Sequence, residues 1–143
     1  MKKVKRIFLI EDDEHEQDMF SYLLRFVDGV ILQDIAADGV EALDKLDRAA
    51  ILPDVIFTDI HMPRMNGIEC LSEIRKRPQL HAIPVVVMST DTSRVDLMRA
   101  LGARAFIKKI GDIDKLREQL NLFIHLDYVR DIEIALQTFH IKH

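Results

Sequence analysis

The sequence predicts an α/β fold built on a doubly wound, five-stranded parallel sheet, and three observations predict it. Short runs of apolar or β-branched residues, Ile7-Phe8-Leu9-Ile10, Val55-Ile56-Phe57-Thr58 and Val85-Val86-Val87-Met88, read as strands buried on both faces. Segments with helical apolar spacing separate them, so strands and helices alternate strictly. Each run ends on acidic or hydroxyl residues, namely Glu11-Asp12-Asp13, Asp59 and Ser89-Thr90. In open parallel sheets the working residues lie just past the carboxyl ends of the strands. One edge of the sheet therefore collects the chemistry.

The elements follow in order. Strand one is expected over Lys5–Ile10. Met19, Phe20, Leu23, Leu24 and Val27 stripe one face of helix one, which Asp28-Gly29 closes. Val30–Ala37 reads as strand two, interrupted by Gln33 and Asp34 as at a sheet edge. Val40, Leu43 and Leu46 mark helix two, and Pro53-Asp54 turns the chain into strand three. Pro63 keeps Ile60 to Gly67 from running as helix. Asn66-Gly67 then turns into helix three, with Ile68, Leu71 and Ile74 inward. Pro78 closes that helix and Pro84 introduces strand four. Val95, Met98 and Leu101 outline helix four, which stops at Gly102. Ala105-Phe106-Ile107 is a short fifth strand. Asp112 is the expected N-cap of helix five, with Leu116, Leu120, Phe123 and Ile124 inward. Crossovers are expected to be right-handed.

After Gly111 the sequence has no Gly or Pro, and Val129, Ile132, Leu136 and Phe139 recur at helical spacing. An extended C-terminal helical tail over 127–143 is expected. It either folds back on the domain or offers a surface to a partner, including a homodimer.

The chain has 143 residues, enough for one domain with a real core. Its net charge of −4 provides no basic field to recruit nucleic acid or an anionic membrane. No apolar stretch is long enough to cross a bilayer, and the basic start leads into a run too short for a signal peptide. The single Cys70 rules out an intramolecular disulfide and fits a reducing compartment, so a cytoplasmic location is expected. No output domain is expected after the globular unit.

If strands one and three are neighbours, about 4.8 Å apart, the side chains of Glu11, Asp12 and Asp59 converge. Two bare carboxylates about 4 Å apart repel by roughly 4 kcal/mol at an effective dielectric of 20, so such a cluster calls for a cation. An all-oxygen donor set suits Mg²⁺, which also accepts phosphate oxygens. Read alone, Glu11-Asp12-Asp13 equally suits a helix N-terminus, Ser89 a turn, and Lys109 the surface. Taken together, carboxylates, hydroxyl and ammonium make a phosphoryl-transfer site with Asp59 as nucleophile.

Over about residues 4–126 the chain resembles the receiver domain of two-component response regulators, the CheY-like family, whose sheet order is 2-1-3-4-5 in a flavodoxin-like fold. The most specific stretch is Asp54-Val55-Ile56-Phe57-Thr58-Asp59-Ile60-His61-Met62-Pro63-Arg64-Met65-Asn66-Gly67, which is similar to the family's phosphoacceptor segment. The resemblance implies Mg²⁺ at Glu11, Asp12, Asp59 and the backbone carbonyl of His61. It implies phosphorylation of Asp59, phosphoryl contacts from Ser89 and Lys109, and a switch role for Ser89 and Phe106. Phe106 lacks the hydroxyl of a tyrosine, so it can signal only through packing. Asp13 is expected to start helix one. The His61 side chain is a candidate for orienting the attacking water. Ile110 stands where the family usually has a proline, and a trans Lys109–Ile110 peptide is expected. The segment from Leu80 to Thr90 resembles single-domain receivers partnered with phytochrome-like kinases.

The implied function is that of a single-domain phosphorylation-dependent switch, not a metabolic enzyme. A sensor histidine kinase would phosphorylate Asp59, and output would pass by protein binding or onward to a histidine phosphotransfer protein. One rival is a small metal-dependent phosphatase with an aspartyl nucleophile, which would want a carboxylate where His61 stands. Another is a non-phosphorylated flavodoxin-like binding module, against which the complete acidic set argues.

Overall fold

A computed structural model describes residues 4–109 and 111–128. Its elements are β1 (Lys5–Ile10), α1 (Glu14–Leu24), β2 (Val30–Ala36), α2 (Gly39–Arg48), β3 (Val55–Thr58), α3 (Gly67–Lys76), β4 (Val85–Ser89), a 3₁₀ turn (Thr92–Arg94), α4 (Val95–Ala100), β5 (Ala105–Lys108) and α5 (Ile113–His125). The five strands form one sheet in the order β2-β1-β3-β4-β5, and each neighbouring pair is parallel. This is the expected doubly wound sheet.

Alternation along the strands divides the core into two layers. Phe8, Ile10, Ile56, Val85, Val87 and Phe106 face α2, α3 and α4. Ile7, Leu9, Val55, Phe57, Val86 and Ile107 face α1 and α5. The central strands are buried on both sides, which is why they read as unbroken apolar runs. No helix among the described residues is long and apolar enough to cross a membrane.

Several boundaries differ from the sequence reading. Helix one ends at Leu24, short of Asp28-Gly29. Arg25, Phe26 and Val27 continue as a tighter turn, each donating its N–H to the carbonyl three residues back. Val27 stays buried in that turn, so the apolar period outlasts the helix. Strand two ends at Ala36, one residue early, because Ala37 N–H turns to the Glu41 carboxylate. Its pairing with β1 skips Gln33, whose side chain instead accepts from Arg6 and donates to the Ile51 carbonyl. Strand five runs to Lys108, one residue past expectation.

Tyr128, the first aromatic of the expected tail, is a core residue. It is buried in the α1–α5 layer, and its hydroxyl donates to the Phe123 carbonyl at 2.6 Å. The rest of the tail stripe and the Lys109–Ile110 peptide lie outside the described residues.

Candidate functional site

The site is assembled by strand register. Ile10 of β1 pairs with Thr58 of β3, so the next residues, Glu11 and Asp59, emerge side by side. Asp59 N–H donates to the Ile10 carbonyl at 3.1 Å, and Glu11 N–H donates to the Ala36 carbonyl at 2.9 Å. On the far side, Ser89 closes β4 opposite Lys108, and Lys109 N–H donates to the Ser89 carbonyl at 3.0 Å. Ladder bonds thus place Glu11, Asp59, Ser89 and Lys109 along one edge.

Lys109 sits at the centre. Its Nζ lies 2.8 Å from Glu11 Oε1, 2.8 Å from Asp59 Oδ2 and 2.8 Å from Glu16 Oε1. Burial alone would lower the Lys109 ammonium. Hydrogen bonds to Asp59, Glu11 and Glu16 overcome that and hold it above its ordinary value. Glu11 is the member most deprived of water. Burial pushes its carboxyl up to about 7, against the opposing pull of Lys109. Hydrogen bonds to three carboxylates thus keep the Lys109 ammonium charged, while burial makes Glu11 readier to take a proton than a free carboxyl. An apolar cavity of about 240 Å³ adjoins this cluster, with Leu9, Met19, Phe20, Met88, Ile113 and Leu116 in its wall.

The sequence reading put mutual repulsion first. In the structure burial and the Lys109 ammonium act on Glu11 more strongly than the charge of Asp59 does, and Lys109 bonds to both carboxylates. The carboxylates that meet also differ from the expected set. Oxygens of Glu11, Glu16 and Asp59 lie within 4.8 Å of one another. Asp12, beside them in sequence, is exposed and not among the three. With Lys109 already neutralising the cluster, the carboxylate with most access to water stays there. Asp13 is the α1 N-cap, as expected, accepting from Glu16 N–H at 2.9 Å.

The β3–α3 loop closes over Asp59. Asp59 Oδ1 accepts from Ile60 N–H at 2.6 Å, and Gly67 N–H donates to the Ile60 carbonyl at 2.7 Å. Arg64, in the left-handed region at φ 61°, pairs with buried Asp38 at 2.8 Å. Burial would raise the Asp38 carboxyl, but Arg64 and the Glu41 N–H hold it below its usual range. His61 is exposed, and its Nε2 lies 2.8 Å from Asp91 Oδ2. Ser93 and His61 together draw Asp91 down to about 2. Asp91 N–H in turn donates to the buried Ser89 Oγ at 3.1 Å. Phe106 is buried in the layer facing α2, α3 and α4.

Glu16 and Asp91 were missed by sequence reasoning. Each carries a local signal, as the third residue of a capped helix and as the cap of a 3₁₀ turn. Neither signal tells which distant side chain it meets.

Lys109 Nζ stands 2.8 Å from an oxygen of each of Glu11, Glu16 and Asp59, so this trio is an ammonium site, while Glu11 and Asp59 with the exposed Asp12 form an oxygen-only donor set chemically suited to a hard divalent cation. The model of the response regulator receiver domain matches residues 7–121. The Regulator of RpoS from Escherichia coli (strain K12) is 32% identical over 119 residues, which are 81% of this chain and 34% of that protein. The chain thus spans about a third of that relative's length. Among solved structures it is similar to the phosphorylated cyanobacterial phytochrome response regulator RcpA, at 29% identity and a TM-score of 0.72, over 82% of this chain and 89% of that one. It is also similar to the bacteriophytochrome response regulator RtBRR, at 27% identity and a TM-score of 0.68, over 98% of this chain and 99% of that one. A sheet in this order, with an acidic edge and a family match along most of the chain, makes the protein a member of the response regulator receiver family, the phosphorylation-dependent switches of two-component signalling.

Proposed function

We propose that Asp59 accepts a phosphoryl group from the phosphohistidine of a sensor kinase. The observation that carries this reading is the setting of its carboxylate. Oδ1 is fixed by the Ile60 N–H, while Oδ2 faces an ammonium and Glu11. An oxygen so oriented is positioned for attack on phosphorus. The O–P bond to Asp59 forms as the N–P bond breaks, and the bonding pair stays on the departing imidazole nitrogen.

Glu11, Asp12 and Asp59, with the His61 carbonyl, would hold Mg²⁺, whose charge offsets that of the phosphoryl oxygens when it is bound. Lys109 moves from the Asp59 carboxylate to a phosphoryl oxygen, and Ser89 turns its hydroxyl from the Asp91 N–H toward another. Ser89 ends β4 and Lys109 follows β5, so their movement repacks Phe106 between those strands and α4. The readout is a changed surface for a protein partner, or onward transfer to a histidine phosphotransfer protein. In this reading the chain acts on itself, as a switch in the cytoplasm, and not on a metabolite.

Incubation with acetyl phosphate and Mg²⁺, followed by intact mass, tests the proposal. One alkali- and hydroxylamine-labile phosphoryl group per chain is expected, absent in Asp59→Asn and without Mg²⁺. Equal labelling of wild type and Asp59→Asn would overturn it.

A further inference from the structure

Three helices of this protein begin on the same pattern, an Asp or Asn N-cap with Glu three residues later. They are Asp13 and Glu16 in α1, Asp38 and Glu41 in α2, and Asn66 and Glu69 in α3. Such a glutamate normally folds back onto the backbone at the start of its own helix. Glu69 does so, accepting from Asn66 N–H at 3.3 Å, and Glu41 accepts from Ala37 N–H at 3.3 Å. Glu16 does not. The Asp13 N–H that it would take is donated to Glu11 Oε2 at 3.2 Å, and the Glu16 carboxylate reaches Lys109 Nζ at 2.8 Å instead.

Its base is nevertheless fixed. Asp13 caps the Glu16 N–H at 2.9 Å, and Gln17 Nε2 donates to the Glu11 carbonyl at 2.6 Å, tying the first turn of α1 to the end of β1. An ammonium has three N–H bonds to give, and Lys109 spends them on Glu11, Asp59 and Glu16. If Asp59 is the phosphoacceptor, the first two partners are lost on activation. Asp59 Oδ2 becomes part of an acyl phosphate or turns to the cation, and Glu11 is claimed by the cation. Glu16, 44% exposed at its side chain, has no other role to leave for.

We propose that Glu16 is a positioning residue that acts through Lys109, holding the ammonium over Asp59 once Glu11 and Asp59 have been taken from it. The inference rests on the reading of Asp59 as phosphoacceptor. Without Glu16, Lys109 has the phosphoryl group as its only anionic partner and must find it from water.

The test uses the full chain with ¹⁵N-labelled lysine, Mg²⁺ and beryllofluoride as the phosphoryl mimic. The Lys109 ammonium resonance is assigned by its loss in Lys109→Met. In the loaded wild type it is expected to persist, protected from exchange, and in Glu16→Gln to broaden beyond detection. Substitution leaves the backbone cap of Glu16 in place, and Glu16→Asp, charged but shorter, is expected to give an intermediate line width. The phosphoryl half-life after acetyl phosphate supplies a second readout. Glu16→Gln should change it by about threefold or more in the wild-type background and leave it unchanged beside Lys109→Met. An undiminished Lys109 signal in Glu16→Gln, or an equal effect in both backgrounds, overturns the inference while leaving Asp59 as phosphoacceptor. A wild type that takes up neither beryllofluoride nor a phosphoryl group removes both.

Discussion

Gly67→Ala places a Cβ at the tightest of the glycine positions. A Cβ at Gly67 would stand 2.1 Å from the Asp59 carbonyl oxygen and 3.0 Å from both Asp59 C and Ile60 Cα. Ordinary contact begins near 3.4 Å, so the shortfall exceeds an ångström. All three neighbours are backbone and cannot rotate away. The Asp59–Ile60 unit is pinned on one side by Asp59 N–H on the Ile10 carbonyl at 3.1 Å. On the other side Thr58 Oγ1 donates to the Asp59 carbonyl at 2.8 Å. Relief must come from α3, at the expense of the 2.7 Å bond from Gly67 N–H to the Ile60 carbonyl and of the Asn66–Glu69 capping box. A lost hydrogen bond and a lost cap cost about 1 kcal/mol each, and overpacking adds about 1–3 kcal/mol. A destabilisation of about 3–5 kcal/mol is expected from urea melts. Acetyl phosphate labelling should slow as well, because the strained backbone is that of the phosphoacceptor. Gly111→Ala, where an added Cβ meets nothing within 4 Å, is the control. A loss below about 1 kcal/mol with unchanged labelling would refute the reasoning.

Without metal, Glu11 makes stability depend on pH. Its folded pKa of about 7 lies above the ordinary 4.5, so the folded state binds more protons between those values and this contribution is lost as pH rises through that window. Wild type in EDTA should fall by up to about 3 kcal/mol relative to Glu11→Gln across it, and a difference that grows the other way would contradict the assignment. His61→Ala removes the bridge to Asp91 from an exposed pair. The urea midpoint should stay near wild type while the phosphoryl half-life changes, and an unchanged half-life would free His61 of any part in the chemistry. Cys70 is buried, and burial pushes its thiol up to about 12. Thiol reagents are expected to leave it untouched until urea unfolds the chain, and rapid labelling of the native protein would show that α3 opens locally.

The βα alternation, the strand positions and the caps at Asp13 and Asp112 were readable from the chain alone, because each depends on neighbours within a turn or a strand. Glu11, Asp59, Ser89 and Lys109 were readable for the same reason, since they follow apolar runs and a parallel sheet delivers strand ends to one edge. What the sequence could not decide was which of these groups touch. Lys109 meets Glu11 across 98 positions and Asp59 across 50, and His61 meets Asp91 across 30. That Glu16, and not Asp12, meets the ammonium is of the same kind. Periodicity says that both lie near the end of β1. Only the packed chain shows that Glu11 takes the Asp13 N–H, leaving the Glu16 carboxylate to reach the ammonium. Local pattern selects the residues because it acts over a few bonds, whereas the partners of a charge are chosen by the closure of loops distant in sequence.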